Sequence, residues 1–172
     1  MWEGFWPFQG LRLDLWQKSA NLVAGSEIML KNIDPVLDPD LLRILRAMGH
    51  GDEIAIVDGN YPADEHARRL VRADGHDAPR LTDAILSVMP LDGDFVPETA
   101  FRPAAGGDPA RVEPVMEDLQ KAVQKHEPNV VLVPLIGDEF YDRVKAAYAI
   151  VASGERRLYG NIILRKGVIY PD

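Results

Sequence analysis

The chain has 172 residues, of which 47% are hydrophobic and 27% are charged, a composition that predicts a soluble globular protein with a single core. Its net charge is -8, with 19 basic residues scattered among 27 acidic ones, which argues against a nucleic-acid partner because phosphate binding requires clustered Lys and Arg. The absence of cysteine excludes disulfides, thiolate catalysis and cysteine-ligated zinc.

The first 28 residues differ from the rest, since they contain all three tryptophans. They have neither a basic n-region nor an uninterrupted apolar core, so they make a poor signal peptide. No segment approaches the roughly 18 apolar residues of a membrane span. We therefore expect a cytoplasmic protein with an α/β domain over residues 29–172. Residues 1–28 are expected to be an appended extension, either an aromatic arm that packs on a neighbouring subunit or an ill-ordered tail.

From Met29 onward, helix and strand patterns alternate. In "DPDLLRILRAMGHG", Asp38 is the predicted N-cap and Pro39 the first helical residue, followed by apolar residues at helical spacing. The segment "EIAIVD" predicts a short buried strand, and "HARRLVRAD" fits either a helical turn or a strand. "APRLTDAILSVMP" predicts a second helix that Pro90 stops.

The second half of the chain continues this alternation. After a loop-rich passage with room for one short strand, "EPVMEDLQKAVQKH" predicts a helix from near Glu113, because proline is tolerated only in the first turn. "NVVLVPLIG" predicts a strand in which Pro134 favours an edge position or a strand end, and "DEFYDRVKAAYA" a helix with Asp138 as cap. "AIVASGERRLYGNIILRKGVIY" predicts two strands joined across Gly154 and Glu155. The pattern predicts a Rossmann-like three-layer α/β domain, a mostly parallel sheet sandwiched by helices and finished by a closing strand pair.

Two polar residues flank the first predicted strand in "MGHGDEIAIVDGN". Open α/β sheets bind ligands at the carboxyl ends of their strands, which is where Asp58 falls. At the other end, His50 lies between two glycines, and an imidazole can exchange a proton at neutral pH. The alternatives are a histidine that interacts with the last helical carbonyls and an aspartate that forms an Asx turn.

The remaining histidines carry weaker signals. His66 and His76 lie among aspartates that could feed a metal ion, but no HExxH or comparable ligand spacing is present, so solvated loop residues are expected. His126 ends a charged helix and is expected to be a favourable C-terminal cation. Neither a GxSxG elbow nor a P-loop is present.

Several segments together resemble the L-fucose mutarotase and D-ribose pyranase family, closer to its fucose branch. They are "MLKNIDPVL", "PDLLRILRAMGHGDEIAIVDGNYPA", "VRADG", "DAILSVMPLD", "EFYDRVKAAYAIVASGE" and "LYGNIILRKGV", which cover nearly all of the chain from Met29 to Val168. The resemblance implies an enzyme that interconverts the α and β anomers of a free monosaccharide with neither metal nor organic cofactor.

The same resemblance implies roles for individual residues. His50 would donate a proton, and Asp58 would bind sugar hydroxyls or assist proton transfer. Tyr159, Gly160 and Asn161 would make further contacts with the sugar. Family members resemble one another in forming rings of subunits, often decamers, with sites completed across subunit contacts. The "YGN" segment is the natural candidate to reach a neighbour's His50.

One position departs from the family pattern. Three residues before the phenylalanine of "FY" the family has a basic side chain, and here that position is Gly137. Either Arg102 or Arg111 replaces that side chain, or the pocket accepts another sugar, or turnover has been lost. Two further hypotheses therefore stand beside a mutarotase: a non-catalytic monosaccharide-binding or sensing protein, and a metal-dependent hydrolase or isomerase.

Overall fold

A computed structural model describes residues 30–171, and the helices and strands lie in the unit that starts at Val36. The expectation for residues 1–28 falls outside the described residues, so that domain boundary stays a prediction. The helices are α1 Pro39–Ala47, α2 Ala63–His66, α3 Ala78–Leu86, α4 Pro114–Gln124 and α5 Asp138–Ala146. The strands are β1 Glu53–Val57, β2 Leu70–Ala73, β3 Ala100–Pro103, β4 Val133–Leu135, β5 Ala149–Ser153 and β6 Ile162–Arg165.

The six strands form one sheet in the order β2-β5-β1-β6-β3-β4. Strand β6 runs antiparallel to both of its neighbours, β1 and β3, whereas the other three pairs are parallel. The predicted mostly parallel sheet is confirmed. The predicted closing pair is wrong, because β1 lies between β5 and β6. Residues 154–161 carry the chain past β1, a step of two strand spacings or about 10 Å.

Helices cover both faces of this sheet. On one face of β1, Ala55 and Val57 belong to an apolar cluster that includes side chains of α2 and α5. Ile54 and Ile56 point to the other face, since side chains alternate along a strand, and α3 contacts β1. All four side chains are fully buried, which requires cover on both sides. The structure therefore confirms the three-layer α/β fold.

Local signals placed several elements correctly. Asp38 caps α1 by accepting a hydrogen bond from the backbone N–H of Leu41 at 2.7 Å. Pro134 lies in β4, which is an edge strand of the sheet. The segment "HARRLVRAD", predicted as either a helical turn or a strand, contains the end of one and all of the other, because α2 ends at His66 and β2 follows at Leu70–Ala73.

The start of α5 differs from its prediction by one residue. Gly137 is the N-cap, with a φ of 57°, and Asp138 is the first helical residue. A left-handed φ costs an L-residue steric energy that glycine avoids, so the glycine takes the position before the helix. Asp138 then acts through its charge in the first turn, where a carboxylate favours the helix dipole.

Candidate active site

The carboxyl end of β1 presents a buried carboxylate that an amide from the start of β6 holds in place. Asp58 Oδ2 accepts a hydrogen bond from Asn161 Nδ2 at 2.8 Å, and the backbone N–H of Asp58 donates to Asn161 Oδ1 at 2.7 Å. The register that pairs Ile56 with Ile162 places the two residues side by side. The other carboxylate oxygen accepts from the backbone N–H of Asn60 at 2.9 Å. Two of the predicted site residues are thus in direct contact.

A cleft of about 380 Å³ opens beside this pair. It runs along the carboxyl ends of β1, β5 and β2 and is lined by Asp58, Tyr61, Arg72 and Ser153 among others. Burial raises the pKa of the Tyr61 hydroxyl, and Tyr141 adds to the shift, so this hydroxyl stays protonated and can donate a hydrogen bond. The edge where the sequence pattern predicted a ligand therefore has both polar groups and space.

The "YGN" segment has a strained backbone. Tyr159 has a φ of 65°, a left-handed conformation that is uncommon for an aromatic residue and marks positions constrained by their surroundings. Its hydroxyl accepts a hydrogen bond from the backbone N–H of Gly106, at 3.2 Å, in the turn that follows β3. At the next residue, a Cβ on Gly160 would lie 2.5 Å from Cγ of Glu155. An added Cβ there would force Glu155 or the segment itself to shift. The hydrogen bond to Gly106 holds the tyrosine hydroxyl at the same edge as Asp58.

An ion pair between the buried carboxylate of Glu155 and the partly exposed guanidinium of Arg157 precedes this segment. Glu155 is 3% exposed, and its two carboxylate oxygens accept hydrogen bonds from Arg157 Nε and Nη2 at 2.9 and 2.8 Å. These bonds hold the pKa of Glu155 below its usual value against the opposing effect of burial. Arg157 Nη1 also donates to Asp118 Oδ2 on α4, at 2.9 Å, and the carbonyl of Glu155 accepts from Gly59 N–H. The sequence analysis missed this network of Glu155, Arg157 and Asp118, because no local sequence pattern indicates that these residues pair.

His50 lies at the opposite edge of the sheet. It precedes the amino end of β1, whereas Asp58 follows the carboxyl end, and the five strand residues between them span roughly 17 Å. Asn161 and Tyr159 precede β6, which is antiparallel to β1, and so share the Asp58 edge. A single chain therefore does not bring His50 together with the other predicted site residues.

At its own edge, His50 contacts a buried carboxylate that sequence reasoning missed. His50 Nε2 is 2.7 Å from Asp92 Oδ1, and Arg165 Nε donates to Asp92 Oδ2 at 2.8 Å. The Asp92 side chain is fully buried. Burial works to raise its pKa, but the hydrogen bonds from Arg165 and His50 outweigh burial and hold the pKa below the usual value. Asp92 is thus a buried carboxylate kept ionised by two partners.

The rest of the imidazole is accessible. The ring packs against Phe95 with centroids 4.6 Å apart and an interplanar angle of 52°. The His50 side chain is 41% exposed. An imidazole that is fixed on one side by a carboxylate and open on the other can exchange a proton with a bound molecule.

The two arginines proposed to replace the basic side chain lie in different environments. Arg102 is 7% exposed, and its guanidinium donates to the backbone carbonyls of Pro103, Pro109 and Arg111, which fastens the loop after β3. Those bonds use both terminal nitrogens of the guanidinium, Nη1 and Nη2. Arg102 therefore has a structural role in this fold.

Arg111 lies closer to the "YGN" segment. Its side chain is 56% exposed and pairs with Glu113, Nη2 to Oε1, at 2.7 Å. Its Nη1 lies 3.2 Å from the point that a Cβ on Gly106 would occupy, and Gly106 bonds the hydroxyl of Tyr159. At Gly137 itself, an added Cβ would have no atom within 4 Å. Of the two arginines, Arg111 is the one near the tyrosine.

The remaining histidines are dispersed. His66 Nδ1 is 3.0 Å from the hydroxyl of Tyr61, His126 Nε2 is 2.6 Å from Asp83 Oδ1, and His76 is exposed. Within residues 30–171, no three His, Asp or Glu side chains are grouped to hold a metal ion. The metal-dependent hypothesis therefore has no ligand set in that part of the chain. Over the same residues, no helix has the length and apolarity to cross a membrane.

Comparison with known proteins gives the relationship of this chain. The sequence profile of the RbsD / FucU transport protein family matches residues 31–169. The chain belongs to this family. A fucose mutarotase of Mus musculus is 38% identical over 147 residues, which are 83% of this chain and 96% of that protein.

Solved structures show the same likeness. The fucose mutarotase of Streptococcus pneumoniae, in complex with L-fucose, is 41% identical with a TM-score of 0.74, covering 82% of this chain and all of that one. FucU from Bifidobacterium longum is 36% identical with a TM-score of 0.75, covering 81% of this chain and all of that one. The membership that the sequence motifs indicated is thereby confirmed.

Proposed function

We propose that this protein is a sugar mutarotase that interconverts the α and β anomers of a free, fucose-like monosaccharide by acid/base ring opening. Its similarity to fucose mutarotases extends over most of the chain. The observation in the fold that carries the proposal is the exposed imidazole of His50 held by a buried carboxylate, because this arrangement orients a group that can exchange protons with a bound sugar. The catalytic hypothesis is therefore favoured over the sugar-binding one.

The reaction needs few groups. Opening a cyclic hemiacetal requires a proton at the ring oxygen and loss of a proton from the anomeric hydroxyl, and the reverse transfers close the ring on either face. In this proposal His50 supplies the ring-oxygen proton, and Asp58 binds hydroxyls or assists the second transfer. Tyr159, Gly160 and Asn161 orient the sugar. No cofactor enters these steps.

We propose that the complete site forms between two copies of the chain. His50 and Asp58 lie at opposite edges of one sheet, so a site that uses both needs the amino edge of one copy against the carboxyl edge of another. Such a head-to-tail contact is heterologous and closes into a ring when the rotation permits. This geometry supports the ring, decameric by family resemblance, that the sequence motifs predict.

The sugar is proposed from the relatives, one of which was solved with L-fucose. Gly137 removes a basic side chain from the pattern, and Arg111, which lies near the hydroxyl of Tyr159, is our candidate to replace it. A cytoplasmic location stays a prediction.

Saturation-transfer NMR of anomer exchange tests the activity directly. L-fucose, ribose, galactose, rhamnose and arabinose are compared with wild type, His50→Ala and His76→Ala. We expect anomer exchange on at least one sugar and an exchange rate lower by about 100-fold or more in His50→Ala. His76→Ala should keep the wild-type rate, because His76 is exposed and belongs neither to the residues around His50 nor to those around Asp58. No acceleration by wild type on any sugar would refute the proposal.

A mixing experiment tests completion of the site between copies. His50→Ala and Asp58→Asn are expected to be inactive alone. Co-assembled in equal amounts, they should place an intact His50 opposite an intact Asp58 in about one quarter of the sites. Recovery of about that fraction of activity supports the shared site, whereas no recovery in verified mixed oligomers contradicts it.

A further inference from the structure

The hydrogen bond between His50 and Asp92 determines the chemistry of the imidazole. A carboxylate that is ionised can only accept hydrogen bonds, so the nitrogen facing it, His50 Nε2, must carry a proton. The other carboxylate oxygen is occupied by Arg165 Nε, which is always a donor. In the neutral ring, Nδ1 is then the nitrogen without a proton, so it first accepts one and donates to the ring oxygen as part of the imidazolium.

We propose that Asp92 is a positioning residue that fixes His50 in the Nε2–H tautomer, so that Nδ1 is the nitrogen that exchanges a proton with the sugar. This inference rests on the proposed mutarotase function. Asp92 lies 42 residues from His50 in the chain and is itself fully buried, so it acts through the imidazole. Packing of Phe95 against the ring completes the orientation.

The neighbouring arginine makes the proposal testable with one isosteric change. In Asp92→Asn, the side-chain oxygen must face Arg165, because that guanidinium offers only N–H groups. The new NH₂ group then faces His50 Nε2 and turns that nitrogen into an acceptor. The proton moves to Nδ1, while the number of hydrogen bonds and the packing volume are kept. The substitution therefore reverses the tautomer without removing a contact.

The test measures the tautomer and the rate separately. Magic-angle-spinning NMR of sedimented full-length protein labelled with ¹³C,¹⁵N-histidine identifies the protonated ring nitrogen at about pH 8.5, where an ordinary imidazole is neutral. The His50→Ala spectrum assigns the signal. Asp94→Asn is the matched control, because Asp94 is exposed and lies two residues away in the same loop. Anomer exchange is measured on the same samples.

We expect the Nε2–H tautomer in wild type and Asp94→Asn, the Nδ1–H tautomer in Asp92→Asn, and a fall of about 100-fold or more in exchange rate for Asp92→Asn alone. An Nδ1–H tautomer in wild type would overturn the proposal without any variant. An unchanged tautomer in Asp92→Asn, or a reversed one with a rate within about threefold of wild type, would also overturn it. Absence of exchange in wild type would instead refute the mutarotase function, and with it the catalytic part of this inference, while the tautomers still test the hydrogen bond.

Discussion

The pair formed by Asp58 and Asn161 gives the sharpest prediction about stability. Replacing Asn161 by alanine removes both hydrogen bonds that lock the two residues together. The backbone N–H of Asp58 then loses its acceptor, and its carboxylate loses one donor. Both residues are buried, at 6% and 7% exposure, so the loss falls on groups that have little access to water.

The size of the effect follows from these two groups. An unsatisfied buried N–H costs about 1–3 kcal/mol, and a hydrogen bond to a charged group contributes about 1.5–3 kcal/mol. The cleft beside Asp58 admits water to the carboxylate, which favours the lower half of the summed range. We therefore expect Asn161→Ala to lower the free energy of unfolding by about 3 kcal/mol. For a domain of this length that corresponds to roughly 6–12 °C in Tm.

Urea unfolding followed by circular dichroism measures this loss, at a fixed chain concentration because assembly stabilises the folded state. Asn60→Ala is the matched control, since Asn60 is exposed in the turn after Asp58 and should change stability by no more than about 0.5 kcal/mol. A loss below about 1 kcal/mol in Asn161→Ala would show that the two hydrogen bonds do not lock the carboxylate.

Three further substitutions test other parts of the structure. Burial works to raise the pKa of Asp83, but hydrogen bonds from Lys125 and His126 outweigh it and lower that pKa, so the ionised carboxylate stabilises the fold above the unfolded pKa of about 3.9 and this stabilisation is lost as pH falls through the folded pKa. In Asp83→Asn, the free energy of unfolding in urea should therefore depend less on pH across that acid range, and an unchanged pH dependence would contradict the ion pairing. Gly160→Ala should lower the free energy of unfolding by about 1–3 kcal/mol in the same assay, because the added Cβ would overlap the buried side chain of Glu155. An unchanged stability would contradict that packing. Arg111→Gln should raise KM for the sugar about tenfold with little change in kcat, and an unchanged KM would remove this arginine from the site.

Much of the fold follows from local patterns. The N-cap at Asp38, the helical spacing after it and the edge position of Pro134 each depend on a few neighbouring residues, and the structure confirms them. The order of the strands depends on contacts between distant segments. The insertion of β1 between β5 and β6 left no signal in "AIVASGERRLYGNIILRKGVIY", because two strands separated by a glycine-containing turn have the same pattern whether or not they pair.

The site was predictable to a different degree at each edge. Asp58 follows a buried strand and was found by position, whereas Asn161 and Tyr159 entered through the family resemblance. Asp92 was missed because it lies in a loop-rich passage where aspartates are common, and its contact with His50 spans 42 residues. A pattern of residue types cannot identify a partner that only the folded sheet brings close.

Strand β6 connects the two edges, and its register controls both. Asn161 immediately precedes β6 and Arg165 is its last residue, so the placement of this one strand positions both side chains. One end holds Asp58 and the other holds Asp92, which in turn contacts His50. A slip of one residue would turn both anchors away from their partners together. The fully buried side chains on both faces of β6 oppose such a slip, so the packing that stabilises the sheet also sets the geometry of both halves of the proposed site.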